Sequence, residues 1–87
     1  MKSQTAVSSL KVIARSPFHL YYDGQARMVS GANKVGKFDI LSGHADFFSV
    51  MTPGEVIIDI DPQAIVFDIT NGIVSVRDNE VLLFVNM

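Results

Sequence analysis

Ile65-Val66-Phe67-Asp68-Ile69-Thr70-Asn71-Gly72-Ile73-Val74-Ser75-Val76-Arg77-Asp78-Asn79-Glu80-Val81-Leu82-Leu83-Phe84-Val85 reads as three short strands separated by two hairpin signals. Asn-Gly is a strong short-range hairpin signal, because a type I′ turn needs positive φ at both central residues. Closing the first turn at Asn71-Gly72 sets Ile69 opposite Val74 and Phe67 opposite Val76. Closing the second at Asp78-Asn79 sets Val76 opposite Val81, Val74 opposite Leu83 and Arg77 opposite Glu80. That last pair is an exposed, weakly stabilising ion pair. Both registers put Ile65, Phe67, Ile69, Val74, Val76, Val81, Leu83 and Val85 on one face, as a shared core requires. Ile73, Leu82 and Phe84 then point away from that core. They are either scattered surface apolar groups or a docking patch for another chain.

The pattern extends upstream. Turn signals stand at Arg15-Ser16-Pro17, Asp23-Gly24, Ser42-Gly43, Thr52-Pro53-Gly54 and Asp61-Pro62-Gln63. The runs between them are strand-length and rich in Val, Ile, Phe and Tyr. Leu10, Val12 and Ala14 alternate with Lys11, Ile13 and Arg15. A tight hairpin at Asp23-Gly24 would set Leu20 opposite Arg27 and spoil the alternation. That turn is therefore not a simple two-residue hairpin, or a partner strand bulges, with Gly31 as a candidate bulge. The fold class that follows is all-β: an antiparallel β-sandwich of about ten short strands, with no helix longer than about two turns. The Ser/Thr/Gln-rich residues 1–9 read as a flexible N-terminal tail, and 10–87 as one sandwich domain.

Composition narrows the function classes. The chain has 87 residues, 48% hydrophobic residues, a net charge of -2 and no cysteine. Disorder, disulfides and thiolate metal sites are excluded. A mildly acidic chain carries no electrostatic footprint for nucleic acid or an anionic membrane. No stretch approaches the ~20 apolar residues of a membrane helix, and the start has no apolar signal-peptide core. Any work at a membrane requires a partner that holds the protein there.

Catalytic and cofactor signatures are missing from the sequence. Gly31, Gly36 and Gly43 form no phosphate-cradling motif. His44 lies near Asp39 and Asp46, yet without a second nearby histidine or a recognised ligand spacing, so no metal is expected. Ser42, His44 and Asp46 are too close in sequence to converge as a triad. Asp59, Asp61 and Asp68 read as strand-edge or turn carboxylates. The four Met and six Phe read as core filling. No enzyme activity, cofactor or small-molecule substrate is expected.

The segment Gly36-Lys37-Phe38-Asp39-Ile40-Leu41-Ser42-Gly43-His44-Ala45-Asp46-Phe47-Phe48-Ser49-Val50-Met51-Thr52-Pro53-Gly54 is similar to the epsilon subunit family of F-type ATP synthases (delta in mitochondria). Gly36, Ile40, Leu41, Gly43, His44, Ala45, Pro53 and Gly54 match the family motif. Asn71-Gly72-Ile73-Val74-Ser75-Val76 with Asn79-Glu80-Val81 resembles a second family motif, and Ser16-Pro17 and Asp23-Gly24 fall where the family has turns. The resemblance covers about Leu10 to Val85. It implies a non-catalytic rotor component of a proton- or sodium-translocating ATP synthase, of bacterial type. Such a subunit sits in the central stalk, bound to the gamma subunit and the membrane c-ring. It is held peripherally at the cytoplasmic face of the membrane.

By the same resemblance, Lys37 and Phe38 belong to a ring-facing loop, and Ser16, His44 and Ser49 to the gamma-facing side. Phe38 also reads as a buried plug. Lys37 replaces the family's glutamate, Asp39 a glycine, and Ser42 and Asp46 prolines. The Lys37 and Asp39 departures favour an alternative, a stand-alone β-sandwich that binds another protein. The sequence stops where the family enters its C-terminal helical hairpin, so neither the hairpin's regulation nor an ATP site is expected.

Overall fold

The computed structural model describes residues 9–87. Nine strands follow in chain order: β1 (Leu10–Arg15), β2 (Leu20–Ala26), β3 (Met28–Asn33), β4 (Gly36–Leu41), β5 (Phe47–Met51), β6 (Gly54–Asp59), β7 (Ala64–Ile69), β8 (Asn71–Arg77) and β9 (Glu80–Asn86). They form a five-stranded sheet, β2-β1-β9-β8-β5, and a four-stranded sheet, β4-β3-β6-β7. No helix occurs among the described residues. The expected tail, 1–9, lies outside them except for Ser9, whose Oγ donates to Gln25 Oε1 at 2.9 Å.

Alternation builds the core. Leu10, Val12 and Ala14 of β1 face inward with Val74 and Val76 of β8 and Val81, Leu83 and Val85 of β9. Val29, Ile40, Val56, Ile58 and Ile69 meet them from the other sheet, while Ile65 and Phe67 are half-buried against the same core. The β8–β9 hairpin has the expected register, Val76 opposite Val81, Val74 opposite Leu83 and Arg77 opposite Glu80, but the last two do not form the expected ion pair. Asp78 and Asn79 both have positive φ, 51° and 62°, as a type I′ turn demands.

The Asn71-Gly72 hairpin does not form. β7 pairs with β6, setting Phe67 opposite Val56 and Ile65 opposite Ile58, in the four-stranded sheet. Thr70 is the crossing point. Its N–H and its Oγ1 both donate to the Asn86 carbonyl, at 2.8 and 3.2 Å. Gly72 lies inside β8, where a Cβ would stand 2.9 Å from Val85 Cγ1 and 3.0 Å from the Phe84 oxygen. This glycine serves close approach between strands rather than a turn.

Asp23-Gly24 is likewise mid-strand. Tyr22 Oη donates to the Gln25 carbonyl, and a Cβ on Gly24 would meet that hydroxyl at 2.9 Å. The irregularity sits elsewhere: the β1–β2 register shifts between Ala14 and Arg15, leaving Tyr21 extra. Gly31 pairs with Phe38 in unbroken register and is no bulge. The chain turns instead at Arg27, whose N–H donates to the Asp59 carbonyl at 2.7 Å. Its guanidinium pairs with the Asp59 carboxylate, and that hydrogen bond holds the Arg27 pKa above its ordinary value.

Candidate docking surface

The outer face of the five-stranded sheet is unusually apolar for a surface exposed to water. Two rows of cross-strand neighbours make it so. Ile13, Leu82, Ser75 and Phe48 form one row, and Arg15, Phe84, Ile73 and Val50 the other. Phe48 is 69% exposed, Val50 65%, Leu82 44%, Phe84 43% and Ile73 41%. Leu20 extends the second row beyond Arg15 and is also exposed. Charged groups flank the rows at one end: Lys11, which pairs with Asp23 at 3.7 Å, then Glu80 and Arg77. An apolar centre with a polar rim is the layout of a protein interface.

Ile73, Leu82 and Phe84 were legible as outward-facing from the β8–β9 register. Phe48 and Val50 were not. Phe18, Phe48 and Phe84 stand largely outside the core, so core filling accounts only for Phe38, Phe47 and Phe67. The alternation Phe47-in, Phe48-out, Ser49-in, Val50-out becomes readable only once β5 is known to edge this sheet beside β8.

The expected contact residues are spread around the sandwich. His44 sits in the loop between β4 and β5, at the end of the sheet where β9 begins. Its Nδ1 lies 2.7 Å from the Ala45 carbonyl, which accepts a hydrogen bond from it, and its ring meets Phe47 edge-on at 5.6 Å. Asn79 fixes this loop by accepting from the Gly43 N–H at 2.8 Å and donating to Ser42 Oγ at 3.4 Å. Ser16 lies at the opposite end of the sheet, just past Arg15, which pairs with Phe84. It is 9% exposed, and its N–H donates to the His19 carbonyl. The structure therefore does not bring Ser16 and His44 together. Ser49 lies midway along β5, half-buried, accepting from Asn33 Nδ2 at 3.1 Å.

Lys37 and Phe38 lie in β4, immediately after the Asn33–Gly36 turn, and their side chains diverge. Phe38 is half-buried against the core, its ring centroid 5.3 Å from that of Phe47, and is not the fully buried plug expected as the alternative. Lys37 is exposed and lines a groove of about 370 Å³ with Asp39, Pro53, Glu55 and Ile57. Asp39 accepts from Ser30 Oγ at 2.6 Å. Among the described residues no three His, Asp or Glu side chains are grouped to hold a metal ion.

Residues 9–87 match the family model described as ATP synthase, Delta/Epsilon chain, beta-sandwich domain. The ATP synthase epsilon chain of Desulforudis audaxviator is 31% identical over 81 residues, spanning 93% of this chain and 59% of that one. A chain of the Euglena gracilis mitochondrial ATP synthase shares the fold with a TM-score of 0.86 at 12% identity, over 99% of this chain and 56% of that one. A chain of the Tetrahymena thermophila mitochondrial ATP synthase central stalk and c-ring does so with a TM-score of 0.77 at 20% identity, over 90% and 63%. The chain thus spans little more than half the length of the relatives it matches.

Proposed function

The chain belongs to the ATP synthase delta/epsilon beta-sandwich family, and from that premise we propose that it is a non-catalytic component of the central stalk. In this reading the sandwich joins the gamma subunit to the c-ring and is held at the membrane by the complex. It needs no cofactor and makes no bond of its own. The observation that carries the reading is the apolar outer face of the five-stranded sheet, Phe48, Val50, Ile73, Leu82 and Phe84, bordered at one end by Lys11, Glu80 and Arg77. A joint that resists torque is better served by a buried apolar centre than by surface charges, which salt screens.

The gamma subunit takes this face, with His44 at its margin and Ser49 on the inward side of its edge strand β5. The β3–β4 hairpin bearing Lys37 is directed at the ring. The test is binding to the purified cognate gamma subunit. Ile73→Asp with Leu82→Asp should abolish measurable binding while the circular dichroism of the fold is retained. Replacing His44 and Ser49 with bulky charged residues should weaken it, and Lys37→Glu should leave it unchanged. Wild-type affinity in the Ile73/Leu82 variant would place gamma on another face.

A further inference from the structure

Among the described residues, β2 and β5 are the outer strands of one sheet, and β4 and β7 those of the other. An edge strand offers unpaired N–H and C=O groups to any further strand, and folded proteins guard it with charge, bulges or short length. β4 is guarded by Lys37 and Asp39, both exposed. β2 carries the register shift opposite Ala14 and Arg15. β5 is the shortest strand, tied at Ser49 to Asn33 of the other sheet. β7, Ala64–Ile69, has no lysine, no proline and no bulge, and it runs in unbroken register with β6.

The β6–β7 ladder fixes which groups of β7 point outward. The Ile60 N–H donates to the Gln63 carbonyl at 2.8 Å, a bonded pair at the closed end of the hairpin. Bonded and non-bonded pairs alternate along an antiparallel ladder. Ile65 and Phe67 therefore bond back to Ile58 and Val56, and the N–H and C=O groups of Ala64, Val66 and Asp68 point off the edge. The side chains of those three residues are exposed on the outer face, Val66 at 52%. Ile65 and Phe67 are half-buried on the inner side.

We infer that β7 is a self-association edge, to which a second copy of this chain adds its own β7 antiparallel about a two-fold axis through Val66. The symmetry of the strand selects the occupant. Centred on Val66, the pairing sets Val66 against Val66, Ala64 against Asp68 and Ile65 against Phe67. Outward backbone groups then meet outward backbone groups, and apolar side chains meet at the axis and on the inner side. The two Asp68 carboxylates stay apart, whereas an axis through Asp68 would set them face to face. This edge belongs to the four-stranded sheet, so the inference is independent of the central-stalk reading and of the apolar face on the other sheet.

Sedimentation equilibrium of the whole chain from about 1 µM to about 1 mM spans the affinities of a small contact. The mass should rise from 9.5 kDa toward twice that value. Val66→Pro removes only a donor that points off the edge, where proline is tolerated, and Val66→Lys adds a common edge guard. Both variants should keep the strand signal in circular dichroism and stay monomeric, a loss of at least about tenfold in affinity. If the proline variant does not fold, the lysine variant decides. Because the chain has no cysteine, Val66→Cys gives a second readout. Opposed bonded residues lie about 5.5 Å apart between Cα atoms, within the span of a disulfide. That variant should form a disulfide-linked dimer on mild oxidation, and Val35→Cys, more exposed but away from the edge, should do so far more slowly. A wild-type mass of 9.5 kDa throughout overturns the inference. So does a dimer that survives Val66→Lys. A monomer whose Val66 amide exchanges slowly also overturns it, and shows the edge to be covered from within the chain.

Discussion

Asn79 sits at φ 62°, and its side chain reaches from the turn to the Ser42–Asp46 loop. The backbone role and the side-chain role can be separated. Asn79→Gly tolerates positive φ and lacks the amide. It should stay within about 1 kcal/mol of wild type in urea unfolding, while exchange of the Gly43 amide accelerates. Asn79→Ala should cost about 1–2 kcal/mol more, because it resists positive φ as well. Unchanged Gly43 exchange in the glycine variant would show that the loop holds itself. Gly72 offers a second test at this scale. Gly72→Ala should lower stability by roughly 1–3 kcal/mol in thermal melts, since the added methyl overlaps Val85 and the Phe84 backbone. An Asn-Gly pair carries the same letters whether the glycine turns the chain or lets two strands close, so sequence alone favours the turn.

β9 is the element whose two faces do different work. Leu83 is fully buried, and Leu83→Ala should cost roughly 2–5 kcal/mol in urea unfolding. Leu82→Ser, one residue away, should stay within about 0.5 kcal/mol. Similar losses at both positions would mean that the strand is not seated as described. The β8–β9 register was legible because two in-phase alternations and a turn with the right chemistry coincided. The partner of β7 was not legible. Its inward residue Phe67 satisfies alternation against Val76 as well as against Val56, and periodicity does not say which strand lies alongside. The docking surface divides the same way. Its half on β8 and β9 followed from register, and its half on β5 depended on a pairing between distant strands.

At the scale of the whole molecule the two sheets should melt together. The chain has no tryptophan and two tyrosines, Tyr21 and Tyr22, both on β2. Tyr21 lies 5.8 Å from Phe67 of the opposite sheet, so its fluorescence reports the contact between layers. Transitions followed by tyrosine emission and by far-ultraviolet circular dichroism should coincide. A fluorescence change that precedes the loss of strand signal would mean that the layers part before either sheet unravels. Nearly all the pairing is antiparallel, but β1 and β9 run parallel at the centre of the five-stranded sheet, with Lys11 beside Glu80 and Arg15 beside Phe84. Leu10 therefore lies at one end of this ladder and Asn86 at the other. Tension applied between those two points loads the ladder lengthwise, in shear. Its hydrogen bonds must then yield together, whereas a hairpin pulled from its open end unzips one bond at a time. Stretched between β1 and β9, the sandwich should behave as a mechanically stiff link.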